Sequence, residues 1–149
     1  MLALLLLLAA PVDSAPLLAP VTAWVEAFNR WDFAYPEVAF TTDDAVVLDQ
    51  FPTFLWQGKG SPRAWWTALM GATQEVHEKR RAAQQHLDLG PPEFVQLKDG
   101  AAFFVQQGTL TWTQGGVRHR MQARWVATEV LTKHGWRISS HAWAPTSEG

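Results

Sequence analysis

At 149 residues, with 48% apolar and 17% charged side chains, the chain has material for one domain with a sizeable core and none of the bias of disordered or collagen-like sequences. A net charge of -2 and a pI near 6.2 offer no overall positive field for nucleic acid or an acidic membrane. The absence of cysteine excludes a disulfide framework, thiol catalysis, a lipidated-cysteine anchor and any cysteine-based zinc site, while nine Trp and eight Phe suit a heavy aromatic core or the wall of a concave apolar site.

The apolar run from Leu2 to Ala10, followed by Pro11 and Asp13, is too short to span a bilayer and matches a secretory leader. It predicts a signal peptide over residues 1–14 with a cut near Ser14, a single mature domain over 20–149, and a periplasmic or secreted location, although no Lys or Arg precedes the run. From Pro20, Val21, Trp24, Val25, Phe28 and Trp31 recur at helical spacing and predict a core-facing helix. "WDFAYPEVAFTTDDA" predicts a short second helical turn broken near Pro36, "AVVLD" a strand, and "QFPTFLWQGKG" a loop. Ser61 is the expected N-cap of the next helix, with Pro62 at its first position and Trp65, Trp66, Leu69 and Met70 on its apolar face. A polar helical or loop stretch follows through Gln85. Turn signals at "LGPP", "KDG", "QGG" and "KHG" then separate expected strands at about 84–89, 92–97, 101–113, 117–131 and 136–144. Helices first and strands later indicate an α+β protein with helices on one face of a curved sheet.

The helix "AWVEAFNRWD", the strand exit "DDAVVLDQFP", the "WQGKGSPRAWW" join and the closing "GWRISSHAWA" together resemble the nuclear transport factor 2-like superfamily, which includes SnoaL-like cyclases and ketosteroid isomerase. The resemblance spans roughly Pro20 to Ala144, and the closest likeness is to exported bacterial SnoaL-like proteins. It implies a cone: a curved antiparallel sheet wrapped around a long N-terminal helix, with two further helices and an apolar interior open to ligands. It also implies a general-base role for Asp49, six residues after the first Asp of "DDA", and a homodimer. The isomerase's two oxyanion donors have no counterpart, since Trp24 stands at the place of the phenol and Ala127 near that of the protonated carboxylate. Steroid isomerase activity is therefore not carried over.

Two readings of Asp49 follow from its surroundings. Facing the cone with Ala45 and Val47, it is a base whose pKa burial would raise; bonded to amides around Phe51, it is a loop cap. In the strand from Val117 to Leu131, alternation turns Val117, His119, Met121, Ala123, Trp125 and Ala127 inward and Arg118, Arg120 and Arg124 outward, unless a bulge inverts the pattern. His119 is then either a proton partner for Asp49 or a solvated rim residue, and His141, out of phase with Ile138, Ser140 and Ala142, falls outside the cone. Trp24, Phe28, Trp31, Tyr35, Trp56, Met121 and Trp125 are the expected ligand-binding wall, suited to a small apolar or aromatic molecule. No histidine pair has metal-site spacing, and phosphate-cradling, dinucleotide and G-x-S-x-G motifs are absent, so neither metal nor cofactor is expected. Three functions fit: a binding protein that uses Asp49 for cofactor-free isomerisation or dehydration, a non-catalytic binding or homodimeric module pairing through the outer sheet face, and a scaffold with a filled cone.

Overall fold

A computed structural model of the protein describes residues 15–40 and 44–148; the expected leader over 1–14 and Asp43 lie outside the described residues. Three helices, α1 (Ala15–Asn29), α2 (Ser61–Met70) and α3 (Gln74–Ala82), accompany six strands: β1 (Val46–Leu48), β2 (Leu55–Trp56), β3 (His86–Lys98), β4 (Ala101–Gln114), β5 (Val117–Thr132) and β6 (Gly135–Glu148). The strands form one curved, unclosed sheet in the order β2-β1-β6-β5-β4-β3. The class is α+β as expected, but the sheet is mixed, because β1 runs parallel to β6.

Helix α1 starts at Ala15, ahead of the expected Pro20, and buries Leu17, Pro20, Val21, Trp24, Ala27 and Phe28, a stripe of helical period laid against the concave side of the sheet. It ends in a left-handed reversal: Trp31 takes φ 57°, its N–H bonding to the Phe28 carbonyl while that of Asp32 reaches Ala27. No second helix follows. Residues 32–39 form turns, with the Asp32 carboxylate accepting from the Ala34 N–H at 2.9 Å, until Phe40 bridges to Ile138.

Gly60, at φ 83°, caps α2 rather than Ser61, whose hydroxyl instead donates to the Ala45 carbonyl at 2.7 Å and ties the helix start to β1. The side chain of Thr73 caps α3.

The long meander turns where the sequence indicates. Asp99–Gly100 and Gly115–Gly116 sit at positive φ, the conformation of the tight hairpin turns whose twist matches the strands. "LGPP" is not a turn, however. Strand β3 runs straight through it, absorbing Pro91 and Pro92 with register shifts between Leu89 and Phe94. It can do so because β3 is an edge strand, where a missing N–H leaves no neighbour unpaired.

Alternation in β5 runs as expected from Met121 onward: Met121, Ala123, Trp125 and Ala127 are buried and Glu129 continues the inner set, while Val117, at the strand's start beside the turn, is exposed. In β6 a bulge intervenes. Thr128 pairs with Ser140 and Glu129 with Ile138, so Ser139 is an extra residue, and both Ile138 and His141 face the core. That one insertion overturns the expectation of an outward His141.

Candidate functional site

The concave side of the sheet, between it and the helices, holds a cavity of about 240 Å³. Its floor and walls come from α1 (Trp24, Phe28), the exit of β1 (Asp49, Gln50, Phe51), α2 and α3 (Trp65, Leu69, Arg80), and the sheet (Leu87, Leu110, Trp125, His141, Trp143).

Asp49 leaves β1 on the inward phase of Ala45 and Val47, whose side chains are fully buried. Its own N–H closes the Gln50–Phe54 loop on the Phe54 carbonyl. One carboxylate oxygen accepts from the Gln50 N–H at 2.7 Å and the other from Trp65 Nε1–H at 2.8 Å. Both readings of this residue are thus present in its geometry: the carboxylate caps its loop and also lines the cavity. Burial raises its pKa above the ordinary carboxylate range, and the two donated hydrogen bonds act in the opposite direction without cancelling the rise.

His141 is a cavity residue that the sequence reading placed outside the cone, while Arg80 and Trp143 carried no sequence signal that marked them. His141 is 2% exposed and lies among Trp24, stacked at 14° and 5.9 Å, Trp65, edge-on at 4.7 Å, and Trp125. Trp125 Nε1–H donates to its Nδ1 at 3.2 Å, which leaves the neutral ring's proton on Nε2. Burial pushes its pKa down to about 3, so it stays uncharged at any physiological pH. Neither His141 Nε2 nor Trp24 Nε1 has a hydrogen-bond partner among the described residues, and both rings line the cavity.

Trp143, two residues further along the same face, reaches across the sheet because position 108 is glycine: a Cβ there would lie 2.7 Å from Trp143 Cη2. The bulge at Ser139 is what turns His141 inward against its sequence parity. A late-strand "S-S-H" following a buried Ile carries no local mark of such an insertion.

Of the expected wall, Trp24, Phe28 and Trp125 line the cavity with Asp49. The others are elsewhere. Trp31, thrown off the helix face by the left-handed reversal, packs on Phe28 and His77. Tyr35 stacks on Phe40, with the Arg63 guanidinium 4.7 Å above its ring, because the segment carrying it is a turn and not a helix. Trp56 sits on β2 behind Phe51, which takes the lining position. Met121 is buried on the inner face but outside the cavity lining, and His119 stacks on Trp112 at 5.3 Å in the neighbouring strand, also away from Asp49. The arginine stripe is engaged within the chain: Arg118 bonds to Thr111 and the Gln84 carbonyl, and Arg124 pairs with Glu93 at 2.8 Å.

Glu129, the inner residue after Ala127, is wholly buried away from this cavity, with neither oxygen hydrogen-bonded among the described residues; burial pushes its pKa up to about 8 against the opposing pull of Arg137. Among the described residues, no group of three His, Asp or Glu side chains is placed to hold a metal ion, and no helix is long and apolar enough to cross a membrane.

Helices packed on the concave side of a long bent meander, with the ligand-sized space between them, decide the architecture. The fold is that of the nuclear transport factor 2-like proteins. The chain superposes on a nuclear transport factor 2-like protein with a cystatin-like fold from Novosphingobium aromaticivorans with a TM-score of 0.73 and 16% identity, over 91% of this chain and 82% of that one. It is similarly close to a ketosteroid isomerase-like protein from Erwinia carotovora atroseptica (TM-score 0.64, 19% identity, 93% and 99% of the two chains) and to a nuclear transport factor 2-like superfamily protein from Salmonella enterica (0.61, 13%, 86% and 87%). No family model and no curated protein matches the sequence. At these identities the nuclear transport factor 2-like likeness concerns the fold, which hosts many unrelated chemistries.

Proposed function

We propose that the protein binds a small apolar or aromatic molecule in this cavity and uses Asp49 as the base of a cofactor-independent proton transfer, an isomerisation or dehydration. The observation that carries the reading is the placement of Asp49: a carboxylate of raised pKa, held by Trp65, at the wall of a cavity lined by Trp24, Phe28 and Trp125. A base abstracting a carbon-bound proton also needs somewhere for negative charge to settle. The N–H groups of Trp24 and His141, which lack protein acceptors among the described residues, are neutral donors at the same cavity and stand in for the phenol and carboxylic acid absent from positions 24 and 127. At about 240 Å³ the cavity suits a single-ring guest and is well below what a four-ring steroid fills.

The test uses 4-phenyl-2-butanone, a neutral single-ring ketone with acidic α-hydrogens, and follows deuterium incorporation from buffer by proton NMR. Asp49→Asn is expected to retain ketone binding while exchange falls roughly 100-fold or more, the usual worth of a positioned base. Equal exchange rates for the two proteins would remove the catalytic role and leave a binding protein. Native mass spectrometry of protein purified from its host, looking for a retained small molecule, addresses binding independently.

A second reading concerns assembly. On the outer sheet face Phe94, Phe103, Val105 and Val126 are neighbours in register, with Phe94 and Phe103 51% and 37% exposed, so an apolar patch and not the engaged arginine stripe is the surface for a second copy. Light scattering is expected to give a dimer that Phe103→Glu converts to a monomer; a monomeric wild type refutes it.

A further inference from the structure

The cavity carries a cation that the proton-transfer reading does not use. Arg80, on α3, reaches back to the end of α2, where Nη1 donates to the carbonyls of Ala68, at 3.1 Å, and Leu69. Those bonds explain why the side chain is held in place, since a cation at a helix C-terminus satisfies carbonyls that lack intrahelical partners. They use one nitrogen of three. Among the described residues, Nε and Nη2 have no protein acceptor and Arg80 has no carboxylate partner: Glu75 of the same helix pairs with Lys79, Glu78 accepts from Gln74, and Asp49 is committed to Trp65 and Gln50. Burial makes the charged form of Arg80 less favourable, yet a guanidinium does not give up its proton at physiological pH, so this partly buried cation keeps its charge without an anionic partner among the described residues.

Around it the cavity lining is mixed. Trp24, Phe28 and Trp125 supply aromatic lining, and Arg80, the part-exposed Gln85, Gln50, His141 and Asp49 supply the polar lining. No lysine or second arginine lines the space, which favours a guest with a single negative charge over a phosphate dianion. Size narrows it further. A cavity of roughly 150 Å³ accepts benzene, and the remaining roughly 90 Å³ equals about three water volumes, enough for a short chain and a carboxylate.

Resting on the binding reading above, we infer that the ligand is a single-ring or similarly sized monocarboxylic acid, seated with its carboxylate on the unfilled donors of Arg80 and its apolar body against Trp24, Phe28 and Trp125. The planar fork of a guanidinium matches a carboxylate through two parallel hydrogen bonds, which a neutral amide cannot reproduce.

The experiment compares 3-phenylpropanoate with its isosteric neutral partner 3-phenylpropanamide by isothermal calorimetry on the full chain at low salt. Wild type is expected to prefer the acid roughly tenfold, a modest figure because Arg80 is partly solvated. Arg80→Gln is expected to bring the acid-to-amide affinity ratio to about one, and Arg80→Lys to keep part of the preference. Because Arg80 also holds the end of α2, each variant is checked by circular dichroism; the acid-to-amide ratio in wild type tests the inference without any variant. An amide that binds as well as the acid, or a preference that survives in Arg80→Gln, overturns the anionic assignment and leaves the apolar-binding reading intact. If neither compound binds wild type, both fall.

Discussion

Glu129 gives the sharpest test of the packing. Its side chain is fully enclosed on the inner face of β5 with both oxygens lacking hydrogen bonds, and its pKa stands at about 8 against a reference of 4.5. In the folded protein it is a neutral acid up to that pH, whereas in the unfolded chain it ionises above 4.5. A carboxyl whose folded pKa is raised stabilises fully below the unfolded value, and that contribution is lost progressively as pH climbs to the folded one. Across that window the loss is about 1.4 kcal/mol per pH unit, or about 3 kcal/mol between pH 5 and pH 7. Glu129→Gln keeps the shape without the proton equilibrium, so the stability difference between variant and wild type should move by that amount in favour of the variant over the same interval. Urea unfolding followed by tryptophan fluorescence at pH 5, 6 and 7 measures it, and subtraction cancels the remaining titrating groups. A difference that stays constant with pH to within about 0.5 kcal/mol would show that the carboxyl escapes burial, and the reasoning from its enclosure would be wrong.

Two further outcomes follow from the cavity wall. Trp65→Phe removes the indole donor that lowers the pKa of Asp49, so that pKa rises further and the acid limb of any exchange activity moves to higher pH; carbon NMR titration of the Asp carboxyls reads the shift directly, and an unmoved titration contradicts the hydrogen bond. Gly108→Ala places a Cβ against Trp143, costing about 1–3 kcal/mol of stability and weakening 3-phenylpropanamide binding as that ring is displaced; unchanged stability and affinity would mean that Trp143 does not lie over Gly108.

Much of the architecture was legible because its causes are local. The hairpin turns follow from Asp-Gly and Gly-Gly pairs that tolerate positive φ, the face of α1 from the spacing of Val21, Trp24 and Phe28, and the inner face of β5 from simple alternation. The errors share a different origin. Trp31 is expected on a helical face that ends in a left-handed reversal, Tyr35 on a second helical turn where the chain instead makes non-helical turns, and His141 outward by an alternation that a bulge interrupts. Periodicity gives no warning of where it stops.

Taken alone, then, the amino-acid order determined the main helices, the long strands and most of their turns, because backbone preference and hydrophobic spacing act over a few residues, while it left Asp49 open between cavity wall and loop cap. Tertiary pairing decided the rest. Ser139 bulges because of how β6 meets β5, β3 carries two prolines because nothing lies beyond it, and the cavity gathers Asp49, Arg80 and His141 from segments up to 92 positions apart along the chain. A buried charge or an unfilled donor is a property of the neighbours that folding brings together, and those neighbours are distant in sequence.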